Sequence, residues 1–313
     1  MPGISPLSFA LLLEQLLNGL QLGVMLFLMA AGLTLIFGVM GVINLAHGAL
    51  YMIGAFACAA VAAATGSYWL GLAAALTAAA AAGALIEATI LRRLYGRDHL
   101  EQVLATFALI LIISEGTRWI FGGFPLFLDV PPLLQGAAPL PGGGAYPIYR
   151  LAIIGVGAAA ALGLHLLISR TRLGMRIRAG ESDREMIGAL GVEIGRLYTL
   201  VFALGAALAG LAGGMIGALQ SVQVGMGEPM LILAFVVIVI GGIGSIWGAL
   251  VGAVLVGVVD TMGRFLLPKA FALAYPPSEA SAMGAAVASL LIYLLMAVIL
   301  ALRPQGLFGA PSR

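Results

Sequence analysis

Between Glu14 and Glu87 the chain contains no Asp, Glu, Lys or Arg, a restriction that few folds survive. A bilayer core about 30 Å thick needs only about 20 predominantly apolar residues per helix, so this one stretch has room for three membrane spans. The remainder is similar: 62% of residues are hydrophobic, 9% are charged and the mean hydropathy is +1.12, far from the composition of soluble domains. The expected fold class is an all-α, polytopic transmembrane helical bundle. A net charge of +2 indicates no basic surface for nucleic acid. Cys58, the only cysteine, reads as a small packing residue. Met1 to Glu14 lacks the Lys or Arg of a signal-peptide n-region and reads as mature sequence.

Helices are predicted over roughly 8–38, 45–65, 69–91, 102–121, 149–169, 197–220, 229–241, 247–267 and 281–302, which makes about 8–9 membrane segments. Arginines cluster at Arg92, Arg93 and Arg97, again from Arg170 to Arg196, and at Arg303 and Arg313, which the positive-inside rule places in the cytoplasm. The Pro- and Gly-rich stretch from Phe124 to Pro147, with Asp129 and no Lys or Arg, then lies outside. After Arg196 the chain crosses out, dips in to Gly241–Ser245, emerges near Lys269 and returns to Arg303. Counting back from Arg92, the N-terminus is outside if three full spans precede it and inside if one is a re-entrant half-helix.

Two apolar stretches are interrupted by turn-forming residues, Asn44-Leu-Ala-His-Gly48 and Gly241-Gly-Ile-Gly-Ser245. Broken helices at matching places suggest an inverted repeat, and irregular backbone within a membrane is tolerated where it is buried or lines a cavity. Asn44, His47, Gly48, Gly241, Gly242, Gly244 and Ser245 are therefore candidates for a translocation path, against the reading of both breaks as ordinary interhelical turns. Asn44 can cap exposed backbone groups, and His47 can either contact substrate or donate a hydrogen bond that secures the break. Glycines repeat at four residues in Gly19 and Gly23, Gly210 and Gly214, Gly213 and Gly217, and Gly244, Gly248 and Gly252, a signal for close helix packing.

The polar stretch Ser169–Arg196 contains a short helix signature. Ser182 and Glu185 read as a capping box and Gly191 as a left-handed stop after Leu190, giving about two turns. Met186, Ile187 and Leu190 form an apolar stripe that such a short loop cannot bury alone. It either folds back on the membrane surface or docks into a groove of a soluble partner. Among ionisable groups within spans, Asp260 with Arg264 and Glu115 with Arg118 are spaced to pair on one helix face. Glu87 is expected to be hydrated at the membrane boundary, and Trp119 and Trp247 to mark interfaces.

No Gly-x-x-x-x-Gly-Lys-Ser/Thr segment occurs, and the only lysine, Lys269, sits in Leu-Pro-Lys-Ala, so the chain has no P-loop for ATP. Zinc-protease, nucleophile-elbow and Cys-His patterns are also missing, so no catalytic residue, metal ligand or cofactor is assigned.

The chain resembles the permease subunits of branched-chain amino-acid ABC importers. The resemblance rests on Gly41-Val-Ile-Asn-Leu-Ala-His-Gly48 with Tyr51-Met-Ile-Gly54, and on Arg170-Thr-Arg-Leu-Gly174 through Ile177-Arg-Ala179 and Asp183-Arg-Glu185 to Leu190-Gly191. It continues in Ala203-Leu-Gly-Ala-Ala-Leu-Ala-Gly-Leu-Ala-Gly213 and Gly241-Gly-Ile-Gly-Ser-Ile-Trp-Gly-Ala-Leu-Val-Gly252. It implies a single transmembrane permease domain over 1–313 with a cytoplasmic coupling loop at 170–196, in a bacterial inner membrane. It also implies a second permease subunit, two cytoplasmic ATPases that use ATP and Mg, and an extracytoplasmic binding protein. Ser182, Asp183, Arg184, Glu185, Met186, Ile187, Leu190 and Gly191 would form the coupling helix and its ends. The alternative is an ion-gradient-driven secondary transporter of a small polar solute.

Overall fold

A computed structural model describes residues 9–309. Arg313, most of the segment before Glu14, and the side chain of Arg184 lie outside what it describes. The chain runs through α1 (Phe9–Met40), α2 (His47–Thr65), α3 (Tyr68–Thr89), α4 (His99–Phe121), the hairpin strands β1 (Ala137–Pro139) and β2 (Ala145–Pro147), and α5 (Ile148–Arg170). It continues through α6 (Arg172–Ser182), α7 (Arg184–Ala189), α8 (Ile194–Ile216), α9 (Gly227–Gly241), α10 (Ile246–Phe271) and α11 (Pro277–Leu302). Among the described residues, eight helices are long and apolar enough to cross a membrane: α1 to α5, α8, α10 and α11. The bundle is all-α but for the small hairpin, as the composition implies.

At 1.5 Å per residue, the 15 residues of α9 extend about 22 Å, short of a bilayer core about 30 Å thick. This is the half-length element. The predicted helix over 197–220 stops earlier, at Ile216: the chain turns through Leu219 and Gln220, whose N–H groups both reach the Ile216 carbonyl at 2.8 and 2.9 Å.

The two ends of the bundle differ. At one end Arg92, beyond α3, donates to the Gly195 carbonyl at the start of α8 (3.1 Å). At the other, Leu126 and Val222 exchange two backbone hydrogen bonds of 2.8 Å, and the hairpin lies against the beginning of α1. There Asn18 accepts from the Tyr146 hydroxyl (3.1 Å) and from the Arg150 guanidinium. So α1 begins at the hairpin end, and three helices of spanning length precede Arg92. Among the described residues the three helices before Arg92 are each of spanning length, which agrees with the count of three full spans.

Helix α1 sits at the centre. From Gly23 to Ile36 every residue is buried, as expected of a helix that is apolar all round. It packs along α10, α8, α5 and α9, while α2 and α3 form a hairpin against α8. Glycine makes these approaches close. A Cβ at Gly23 would lie 2.8 Å from the Ala253 carbonyl oxygen, one at Gly32 2.5 Å from that of Gly205, and one at Gly54 would collide with the Gly210 backbone. Without a hydrophobic gain over lipid, such contact is what holds membrane helices together. Cys58 is buried in this packing.

Gly54→Val should therefore cost at least about 1–3 kcal/mol through overpacking. The reading is a lowered thermal unfolding midpoint in detergent, with Gly155→Val, where a Cβ meets open space, leaving the midpoint unchanged.

Candidate translocation and coupling site

Helix α1 stops at Gly41, whose left-handed backbone (φ 67°) lets its N–H close on the Phe37 carbonyl at 2.8 Å. Asn44 then accepts the Ala46 N–H (3.0 Å) and α2 begins at His47. The capping role read from Asn44 is present. Asn44 and His47 are fully buried, yet the Asn44 amide nitrogen and both ring nitrogens of His47 have no partner of ordinary hydrogen-bond geometry; the Met29 carbonyl lies beside the imidazole. No ordinary bond from His47 secures the break. Gly48 brings the start of α2 onto the start of α9, since a Cβ there would lie 2.8 Å from the Gly227 carbonyl oxygen.

The second break is built differently. Gly242 and Gly244 have φ of 98° and 84°, and Ser245 starts α10 by accepting the Gly248 N–H at 3.0 Å. The last carbonyls of α9 take partners from the tail that follows α11: Leu307 N–H donates to Ile240 and Phe308 N–H to Gly241, both at 2.9 Å. Gly242 is packed against Gln305 and Gly309 of that tail.

The polar stretch after α5 folds into two helices where the sequence suggested one. Thr171 starts α6 by accepting the Gly174 N–H (3.0 Å), and Gly174 lies directly on the Leu167 and Ile168 carbonyls of α5. Ser182 is the last residue of α6, so it does not cap the next helix. Asp183 does: its Oδ1 accepts the N–H groups of Glu185 (3.0 Å) and Met186 (2.9 Å). An ionised carboxylate is the stronger acceptor, and it sits where the helix dipole favours negative charge. Gly191 ends the turn with φ 86°, as expected. The stripe divides: Ile187 is buried, whereas Met186 and Leu190, one turn apart, are 59% and 77% exposed.

Glu87 corrects the expectation of a hydrated charge. It is fully buried and accepts from Arg92 Nη2 (3.0 Å) and Nε (3.3 Å), the Tyr95 hydroxyl (2.8 Å) and the Thr199 hydroxyl (2.6 Å). Burial, and then the neighbouring Glu87 carboxylate, raise the Tyr95 hydroxyl pKa above its ordinary value. The cluster joins the end of α3 to the first two turns of α8, just after α7. Its residues are scattered in sequence, and the one local signal was the Glu87, Arg92 and Tyr95 spacing. Asp260 pairs with Arg264 at 2.9 Å and Glu115 with Arg118 at 2.8 Å, as their spacing predicts.

Beside Gly244, at the arginine-rich end, a cavity of about 430 Å³ opens between α1, α5, α6 and the start of α10. Trp247 and His165 pack together in its lining, with ring centroids 5.2 Å apart. Among the described residues, no three His, Cys, Asp or Glu side chains converge to hold a metal.

Residues 15–300 match the family of branched-chain amino acid transport system permease components. The chain belongs to this family. It is 31% identical to the high-affinity branched-chain amino acid transport system permease protein BraD of Pseudomonas aeruginosa, over 96% of both chains. It is 29% and 28% identical to the corresponding LivH permeases of Salmonella typhimurium and Escherichia coli K12, over 97% of this chain and 98% of each relative. No solved structure matches the chain. Within a permease of this family, the exposed pair of Met186 on α7 and Leu190 at its C-terminal end, the two breaks and the cavity beside Gly244 are the features open to a transport role.

Two outcomes test the local geometry of this permease. Asp183→Ala should speed hydrogen exchange of the Glu185 and Met186 amides and weaken α7 by about 1 kcal/mol, with Ser182→Ala leaving both unchanged. Glu87→Ala should lower the unfolding midpoint by leaving Tyr95, Thr199 and Arg92 without their acceptor, a loss of about 1–3 kcal/mol in detergent.

Proposed function

We propose that this permease is the membrane-spanning subunit of an ATP-driven importer in a bacterial inner membrane, passing branched-chain or related amino acids inward by alternating access. The observation that carries the reading is the near full-length likeness to branched-chain amino acid transport permeases. On this reading the arginine-rich end is cytoplasmic and the hairpin end faces the binding protein that delivers substrate. A second permease, identical or homologous, completes the pathway. Two ATPases, using ATP and Mg, supply the energy.

The coupling contact is assigned to α7. Met186 and Leu190 stand one helical turn apart on an exposed face, the pattern by which a helix seats in a groove. Asp183 and Gly191 delimit the helix, Glu185 lies in its first turn, and Ile187 fastens it to the rest of the chain. Closure of the ATPases would push on α7, and the buried Glu87 cluster at the start of α8 lies next in line to carry the displacement to α3. The path itself is assigned to the breaks, at Asn44, His47 and Gly48 and at Gly241, Gly242, Gly244 and Ser245. There the backbone departs from the helix inside the protein, as irregular segments in transporters do.

Met186→Asp tests the assignment. Seating a methionine side chain gains roughly 1.5–3 kcal/mol, so replacing it with a charge should lower recovery of a co-purifying P-loop ATPase by at least about tenfold. ATP-dependent uptake should fall with it while the unfolding midpoint stays put. Undiminished ATP-dependent uptake would remove the coupling role from this helix, and uptake by the chain without any ATPase would favour a gradient-driven transporter.

A further inference from the structure

The cavity beside Gly244 has a wall of two chemistries. On one side stand apolar groups of α1 and α10, among them Leu35, Val39 and Ile246. On the other, α6 presents Arg178 and Glu181, three residues apart and so on one helix face. The two charges do not pair with each other. Arg178 donates to the Ile168 carbonyl, which leaves other guanidinium N–H groups free to bind. Glu181 has no cation or hydrogen-bond donor on it among the described residues. Its carboxylate instead reaches over the second break, with Oε1 3.1 Å from where a Cβ on Gly244 would be and 3.5 Å from the same point on Gly38. Partial burial of that carboxyl raises its pKa, although the residue as a whole is exposed. An unpaired anion and a partly free cation one turn apart, facing an apolar wall, match a small zwitterion with an aliphatic side chain. A volume of about 430 Å³ lies within the range of small-molecule sites.

We propose that this cavity is an exit site for the transported amino acid, holding its α-ammonium at Glu181, its α-carboxylate at Arg178 and its side chain against Leu35, Val39 and Ile246. The proposal rests on the amino-acid import reading and adds to it residues, outside both breaks, that would bind substrate before release. A phosphatidylethanolamine headgroup carries the same ammonium and anion; the favoured occupant is the free amino acid, whose α-carbon sets an aliphatic side chain beside both charges, opposite Leu35, Val39 and Ile246.

The test uses the assembled complex without nucleotide, in phosphatidylglycerol nanodiscs, with equilibrium binding of leucine and of 4-methylpentanoate, which lacks the ammonium. The wild type should prefer leucine by at least about tenfold, and Glu181→Gln should bring the ratio close to one, with Glu101→Gln, at an exposed position, keeping the wild-type ratio. An unchanged ratio in Glu181→Gln, or no leucine binding by the wild type, overturns the exit site. Loss of wild-type leucine binding when phosphatidylethanolamine is added, with no such loss in Glu181→Gln, also overturns it and assigns the cavity to lipid. The same complexes in proteoliposomes separate the two levels. ATP-driven leucine uptake alongside an unchanged ratio removes the exit site alone, whereas absence of ATP-driven uptake of any branched-chain amino acid removes the import reading beneath it.

Discussion

Every backbone N–H and C=O placed in a bilayer must find its partner within the protein. An unbroken helix meets that demand by itself, and most of this chain is unbroken helix. At two of the places where it is not, residues 41–46 and 242–245, the architecture supplies partners from elsewhere. Asn44 does so with a side chain folded onto its own turn, and Ser245 does so for the first turn of α10. The end of α9 needs more, and the tail after α11 provides two donors. The positions of the breaks follow from which groups were available to close them.

Glycine determines the rest of the packing. At the crossings of α1 with α10 and α8, and of α2 with α8, carbonyls of one helix lie where the Cβ of the other would be. A side chain larger than hydrogen at these positions would force the helices apart. The Glu87 cluster ties the arginine-rich end together, where the carboxylate accepts from Thr199 of α8 as well as from Arg92 and Tyr95, and Arg92 donates on to Gly195 of α8.

The spans and both breaks were legible in the sequence because apolar run length and turn residues are local signals. The half-length of α9 was visible for the same reason. What escaped was non-local or decided by competition between neighbours. Ser182 and Asp183 are adjacent acceptors, and pattern alone favoured the serine because Glu185 completes a capping box with it; the extension of α6 through Ser182 transfers the cap to the carboxylate. Glu87 looked like a boundary charge because Arg92 and Arg93 follow it, but its burial depends on Thr199 and Gly195, which no local window contains. Helix α6 was hidden by its arginines, which break the apolar periodicity by which the spanning helices were found.

The strap from Leu307 and Phe308 to the carbonyls of Ile240 and Gly241 also orders events in time. A ribosome delivers α9 well before it delivers the tail, and in the interval the end of that helix has no permanent donors. The end of α9 therefore stays unfinished until residue 308 has been made, and contacts of the tail complete a helix that left the ribosome earlier.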